Sequence, residues 1–184
     1  MAKIGIFFGE GYEEVEALAV VDVLRRGGQE VCMISITGQK QVTGSHNITV
    51  QMDALLSEVE FDGLDMIMLP GGMPGTKNLE ACTFLMEQVD RFYDQGKWIA
   101  AICAAPSIFG HRGILKGRNA CCYPGMESHL EGAKAGTGPV EVSDHVITSR
   151  GMGTAIELGL TILEQFEGEE KADRLAEAIV YKRL

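Results

Sequence analysis

Trp98-Ile-Ala-Ala-Ile102-Cys103-Ala-Ala-Pro106-Ser-Ile-Phe109 decides the fold. Its first five residues carry no charge and no alternation of apolar with polar side chains, so they read as a strand buried on both faces. Small residues and a proline follow at once, as in the first turn of a helix. A buried strand that runs through a cysteine into a helix is half of a crossover in a parallel sheet. Upstream, Met66-Ile-Met-Leu69 closed by Pro70-Gly71-Gly72 repeats the pattern, and Lys3-Ile-Gly-Ile-Phe-Phe8 before Gly9-Glu-Gly11 gives a third copy. From Glu13 to Arg26 the residues Val15, Leu18, Ala19, Val23 and Leu24 fall at helical spacing, and Gly27-Gly28 stops the run.

Glu30–Ile36 reads as a strand, and Val42 with Ile48–Val50 as the arms of a small hairpin. Leu79–Tyr93 reads as one amphipathic helix. Asn119–Cys122 is expected as a strand, Val140–Ser149 as a hairpin, and Gly153–Glu167 and Glu170–Tyr181 as helices. Strands alternating with helices predict an α/β fold, one domain over residues 1–184 with a mostly parallel central sheet covered on both faces. Ligands in such folds sit at the carboxyl ends of the strands. Three features fall there: the Gly9–Glu16 turn, the Pro70–Thr76 loop and Cys103.

Composition removes several classes of function. Sixteen Lys and Arg against twenty-six Asp and Glu leave a net charge of −10, which opposes tight binding of nucleic acid or of anionic membrane. No apolar run approaches the ~20 residues that cross a bilayer, and no leader pattern follows Met1. Five cysteines at 32, 82, 103, 121 and 122 make a poor disulfide framework, so a reduced, cytoplasmic protein is expected.

Cys103 stands where a strand meets a helix, between the small residues Ala101 and Ala105, the arrangement of a nucleophile elbow. A helix N-terminus favours thiolate and is expected to lower the thiol's pKa. A buried core cysteine is the competing reading of the same position. Cys32 within a strand, Cys82 on a helix, and Cys121 and Cys122 on opposite faces of a strand read as structural. Glu16 shares a helical stripe with Val20 and Val23, so its carboxyl is desolvated and suited to holding a proton. Glu13 and Glu14 read as acids at the helix dipole. The four histidines lack metal-ligand spacing with the cysteines, so no metal is expected.

Gly11-Tyr-Glu-Glu-Val-Glu16, Leu69-Pro-Gly-Gly72, Ala100-Ala-Ile-Cys-Ala-Ala-Pro106 and Thr148-Ser-Arg-Gly-Met-Gly-Thr154 occur in this order. With these motifs nearly the whole chain resembles the ThiJ/PfpI superfamily, in particular its DJ-one branch. The resemblance implies a flavodoxin-like three-layer sandwich, a homodimer, a reactive cysteine and no cofactor. Carried over by residue, Cys103 is the nucleophile, Glu16 the protonated carboxyl beside it, and Gly72 and Ala104 the oxyanion-hole N–H donors, with Gly71 adjoining.

The departures also bear on function. Ala104 stands where the protease-like branch has a histidine, which disfavours a cysteine protease. Tyr123 replaces a histidine common in the closest branch. Two arginines near the family's dimer surface correspond to Arg26 and His46. The implied activity is that of a cofactor-independent glyoxalase or deglycase, acting on a small-molecule α-oxoaldehyde such as methylglyoxal and giving lactate. The alternative is an oxidative-stress sensor or chaperone-like protein in which Cys103 is oxidised to sulfinate.

Overall fold

The computed structural model describes residues 1–183. In chain order the elements are β1 (Lys3–Phe8), α1 (Glu14–Arg26), β2 (Glu30–Ser35), β3 (Gln41–Thr43), β4 (Thr49–Gln51), β5 (Ala54–Leu55) and β6 (Met66–Leu69). They continue with α2 (Gly75–Ala81), α3 (Thr83–Asp94), β7 (Trp98–Ile102), α4 (Pro106–His111), β8 (Asn119–Ala120) and β9 (Lys134–Ala135). The chain closes with β10 (Val140–Ser143), β11 (Val146–Ser149), α5 (Ala155–Glu167) and α6 (Glu169–Ala178). Seven strands form the central sheet in the order β10-β11-β7-β6-β1-β2-β5. All neighbours run parallel except β10 on β11, so the sheet is mostly parallel as the alternation of elements predicts.

Each inner strand feeds two cores because successive side chains point to opposite faces. Ile4, Ile6, Phe8, Met66, Met68, Ala100 and Ile102 meet Val20 and Leu24 of α1 and Leu158 and Ile162 of α5. Phe7, Ile67, Leu69, Ile99 and Ala101 meet Leu85 and Val89 of α3 and Ile108 and Phe109 of α4. The unbroken apolar runs thus have a direct cause: both faces of these strands are covered. The result is a three-layer sandwich.

Three expectations need correction. Leu79–Tyr93 is two helices, because Cys82 sits between α2 and α3 with ψ 88° and belongs to neither. The apolar spacing hides the break, since Leu79 before it and Leu85 after it are buried in the same core. The strand expected over Asn119–Cys122 stops at Ala120 and pairs with β9 in a separate small sheet. Cys121 then leaves strand geometry because its N–H donates to Thr148 Oγ1 at 2.9 Å and its thiol to the Thr148 carbonyl at 3.3 Å. Finally, α6 ends at Ala178 rather than Tyr181. The hairpins at β3–β4 and β10–β11 form as the sequence predicts.

Candidate active site

The site lies at the carboxyl ends of β6, β7 and β11. Leaving β7, the chain takes Cys103 through φ +64°, a left-handed value that few non-glycine residues adopt. Main-chain bonds hold it there. Its N–H donates to the Ser149 carbonyl at the end of β11 (3.0 Å), and its own carbonyl accepts from Tyr123 N–H (2.8 Å). Parallel pairing of β7 with β11 sets Ser149 opposite Ile102, which puts that carbonyl within reach.

Two further N–H groups, those of Ala104 and Gly72, donate to the Cys103 sulfur. Gly72 reaches it from the loop after β6 with φ +93°, a conformation natural to glycine. Gly71 supplies the neighbouring contact: its N–H donates to Glu16 Oε2 at 3.1 Å. A Cβ at Gly71 would stand 2.5 Å from that same oxygen and 2.6 Å from Cys103 Cβ, so only glycine fits.

Glu16 comes from the first turn of α1 and is 1% exposed. Glu13 caps that helix by accepting Glu16 N–H at 2.6 Å, which fixes where the Glu16 side chain leaves the backbone. The carboxyl hydrogen-bonds the Cys103 thiol and accepts from the N–H groups of Gly71 and Met152. Burial, partly offset by these bonds, pushes it up to about 7. Burial and the adjacent Glu16 carboxylate also push the Cys103 thiol well above its ordinary range, against the lowering expected from a helix N-terminus. The reason is geometric: α4 begins three residues later and has only six residues, whereas the carboxyl is in contact. Two acids in contact hold one charge between them, so ionising either one opposes ionising the other. The Ala104 and Gly72 N–H groups work the other way, favouring the charged form of the sulfur.

A cleft of about 660 Å³ opens on the far side of Gly151 from Glu16, lined among others by Tyr123, Pro139, Arg150, Gly151 and Met152. Gly151 is the join, since a Cβ there would lie 3.8 Å from Glu16 Oε1 and 3.5 Å from the Tyr123 ring. The turn after β11 therefore belongs to the site. Arg150 and Met152 were given no role from sequence, although their motif, following a buried strand beside β7, is the signal that marks them.

Other residues singled out in the sequence lie elsewhere. Arg26 ion-pairs with Asp22 at 2.7 Å in a groove between α1 and α5. His46 bonds Glu14 at the opposite end of α1, at 2.9 Å. A single chain thus keeps Arg26 and His46 apart. His111 bonds Glu80 and His129 rather than the thiol. Glu14 corrects its reading as a simple dipole acid: it is buried and accepts N–H bonds from His46 (2.7 Å) and Ile48 (3.4 Å), fastening the β3–β4 hairpin to α1. Ligand atoms of Glu13, Glu14 and His46 lie within 4.8 Å of one another, so these are the residues that could meet a cation. The carboxylates there are engaged by the helix cap and the hairpin.

The DJ-1/PfpI family profile matches residues 2–165. The chain belongs to the DJ-1/PfpI family. Protein DJ-1 homolog B of Arabidopsis thaliana is 40% identical over 182 residues, 98% of this chain and 42% of that protein. The chain thus spans less than half of that relative, and likewise 45% of DJ-1 homolog A from the same plant. Another relative, 36% identical over 90% of this chain and 89% of its own length, is named glutathione-independent glyoxalase DJR-1.2 of Caenorhabditis elegans. Among solved structures, oxidized Toxoplasma gondii DJ-1 superposes with a TM-score of 0.94 at 35% identity, covering 98% of this chain and 99% of the other. The sandwich is thus the flavodoxin-like fold of DJ-1/PfpI proteins. Among the described residues no helix is long and apolar enough to cross a membrane.

Proposed function

We propose that this protein is a cofactor-independent glyoxalase that uses Cys103 on α-oxoaldehydes such as methylglyoxal. The observation that carries the reading is the convergence of the Glu16 carboxyl and the Ala104 and Gly72 N–H groups on one sulfur. Thiolate attack on the aldehyde carbon forms an S–C bond, and Glu16 gives its proton to the oxygen that was the carbonyl's. The Ala104 and Gly72 N–H groups stabilise the charge that develops before this transfer. Glu16, now a carboxylate, takes the proton from the sulfur-bearing carbon to give an enediolate and returns it to the neighbouring carbon, while the hydroxyl proton on the sulfur-bearing carbon passes to the neighbouring oxygen. The product is a 2-hydroxy thioester. Water attacks it, the S–C bond breaks, one proton of the water returns to Glu16 and the other to solvent, and lactate leaves with the thiolate restored. One water is consumed, and no electrons are exchanged with the surroundings. The name of the Caenorhabditis relative supports the same chemistry, and the same attack could act on early glycation adducts.

The test is consumption of methylglyoxal without glutathione by the wild type, Cys103→Ser and Glu16→Gln. Cys103→Ser is expected to lose three or more powers of ten in rate, as when a covalent nucleophile is removed. Equal activity in all three proteins, or none in any, ends the assignment.

A second reading has its own support in the oxidized state of the Toxoplasma neighbour. In this reading Cys103 is a sensor. Two peroxide molecules would each transfer an oxygen to the sulfur and leave as water, giving sulfinate. Uptake of two oxygens that stops there, in a protein without methylglyoxal turnover, selects the sensor. The homodimer and cytoplasmic location expected from sequence remain part of this proposal.

A further inference from the structure

Seven of the eight arginines form salt bridges with Asp or Glu, and Arg150 is the exception among the described residues. In a chain of net charge −10 an unpaired arginine is conspicuous. Its position is more so. Among the described residues Arg150 is the one charged residue lining the cleft that Gly151 separates from Glu16. Its Nη1 donates to the Thr137 carbonyl at 3.2 Å, while its Nε is buried without a partner among the described residues. A buried donor left unpaired is destabilising unless something else accepts from it.

The main chain ties Arg150 to the reacting groups from both sides. Ser149 before it accepts the Cys103 N–H, and Met152, two residues after it, donates to Glu16. A guanidinium presents a planar fork of donors that matches an oxyanion. Among the described residues no carboxylate lines the cleft to compete for it.

We propose that Arg150 is a specificity-determining residue that anchors an oxyanion, carboxylate or phosphate, carried by the substrate. The inference rests on Cys103 as the reacting group and names the substrate class: α-oxoaldehydes bearing a negatively charged substituent, favoured over neutral methylglyoxal. Binding of the charged substituent would then orient the aldehyde toward the sulfur, which raises rate by positioning.

The experiment compares alkylation of Cys103 by iodoacetate and by iodoacetamide, followed by mass spectrometry of the Cys103 peptide, in wild type and Arg150→Gln. The neutral reagent corrects for any general change in the thiol. The iodoacetate-to-iodoacetamide rate ratio is expected to fall about tenfold in the variant, the scale of one lost charge-assisted contact. An unchanged ratio overturns the anchor. Should Cys103 resist both reagents, the proposed nucleophile fails and the anchor is judged separately in Cys103→Ser protein. There the Arg150 Nε–H resonance is followed by NMR during titration with glycolate and with methyl phosphate. A saturable shift with either supports the anchor and identifies the oxyanion, and no shift with both overturns it.

Discussion

Gly71 shows how tightly single residues define the site. Gly71→Ala would drive a methyl group into Glu16 Oε2 and Cys103 Cβ, at 2.5 and 2.6 Å. Because displacement by about 1 Å can cost roughly a hundredfold in rate, methylglyoxal turnover should drop on that scale while circular dichroism stays native. The Glu16 proton has a second readout in stability. Its carboxyl rises from the ordinary 4.5 to about 7 on folding. Between those values the folded chain binds more protons than the unfolded one, so the contribution is complete below pH 4.5 and is lost as pH rises toward 7. The slope is about 1.4 kcal/mol per pH unit within that window. Denaturant titrations at several pH values should show this decline in wild type and a flatter profile in Glu16→Gln. Cys103 and Glu16 were legible in the sequence because each breaks its surroundings, a cysteine between strand and helix and a carboxylate on an apolar stripe. Arg150 was not, because an arginine's meaning depends on which carboxylates fail to reach it, and only the fold shows that.

At the scale of elements, α4 illustrates how the elbow is braced. Gly110 on its inner side faces the turn at residues 127–129, and a Cβ there would overlap the His129 carbonyl oxygen. Overpacking against main chain cannot be relieved by a rotamer change. Gly110→Ala should therefore lower unfolding free energy by about 2 kcal/mol or more, read as a lower urea midpoint with an unchanged m-value. Strands were the most readable elements, since β6 and β7 are apolar throughout, β1 is apolar after Lys3, and their ends coincide with Gly, Pro or Cys. The break at Cys82 was unreadable for a physical reason. Two short helices that bury the same stripe present the same spacing as one long helix. The departure of Cys121 from its strand was equally hidden, because its partner, Thr148, lies 27 residues away.

For the whole molecule, the net charge of −10 conceals a local arrangement that closes the chain. Arg183 reaches back to Glu157 (3.1 Å), Glu164 (2.7 Å) and Asp173 (3.0 Å), fastening the C-terminal segment to α5 and α6. Glu157 is 5% exposed, so loss of the guanidinium removes a charged partner from a carboxylate in poorly solvated surroundings. Arg183→Ala should lower the unfolding free energy by about 2 kcal/mol, measured by chemical denaturation, and leave the Cys103 alkylation rate unchanged. The seven-stranded sheet brings motifs spread from Gly11 to Thr154 to the same edge, so the candidate site draws on all of them.

The donors that face Cys103 and Glu16 come from Gly71, Gly72, Ala104 and Met152, and every one is a peptide N–H. A peptide donor outlives replacement of its side chain. Positions 104 and 152 can accordingly exchange one residue for another over evolutionary time without erasing the hydrogen bond they supply, so variability there would say nothing against their importance. Replacing the Ala104 peptide bond by an ester, which deletes the N–H and spares the methyl group, is the change to which such a site is sensitive.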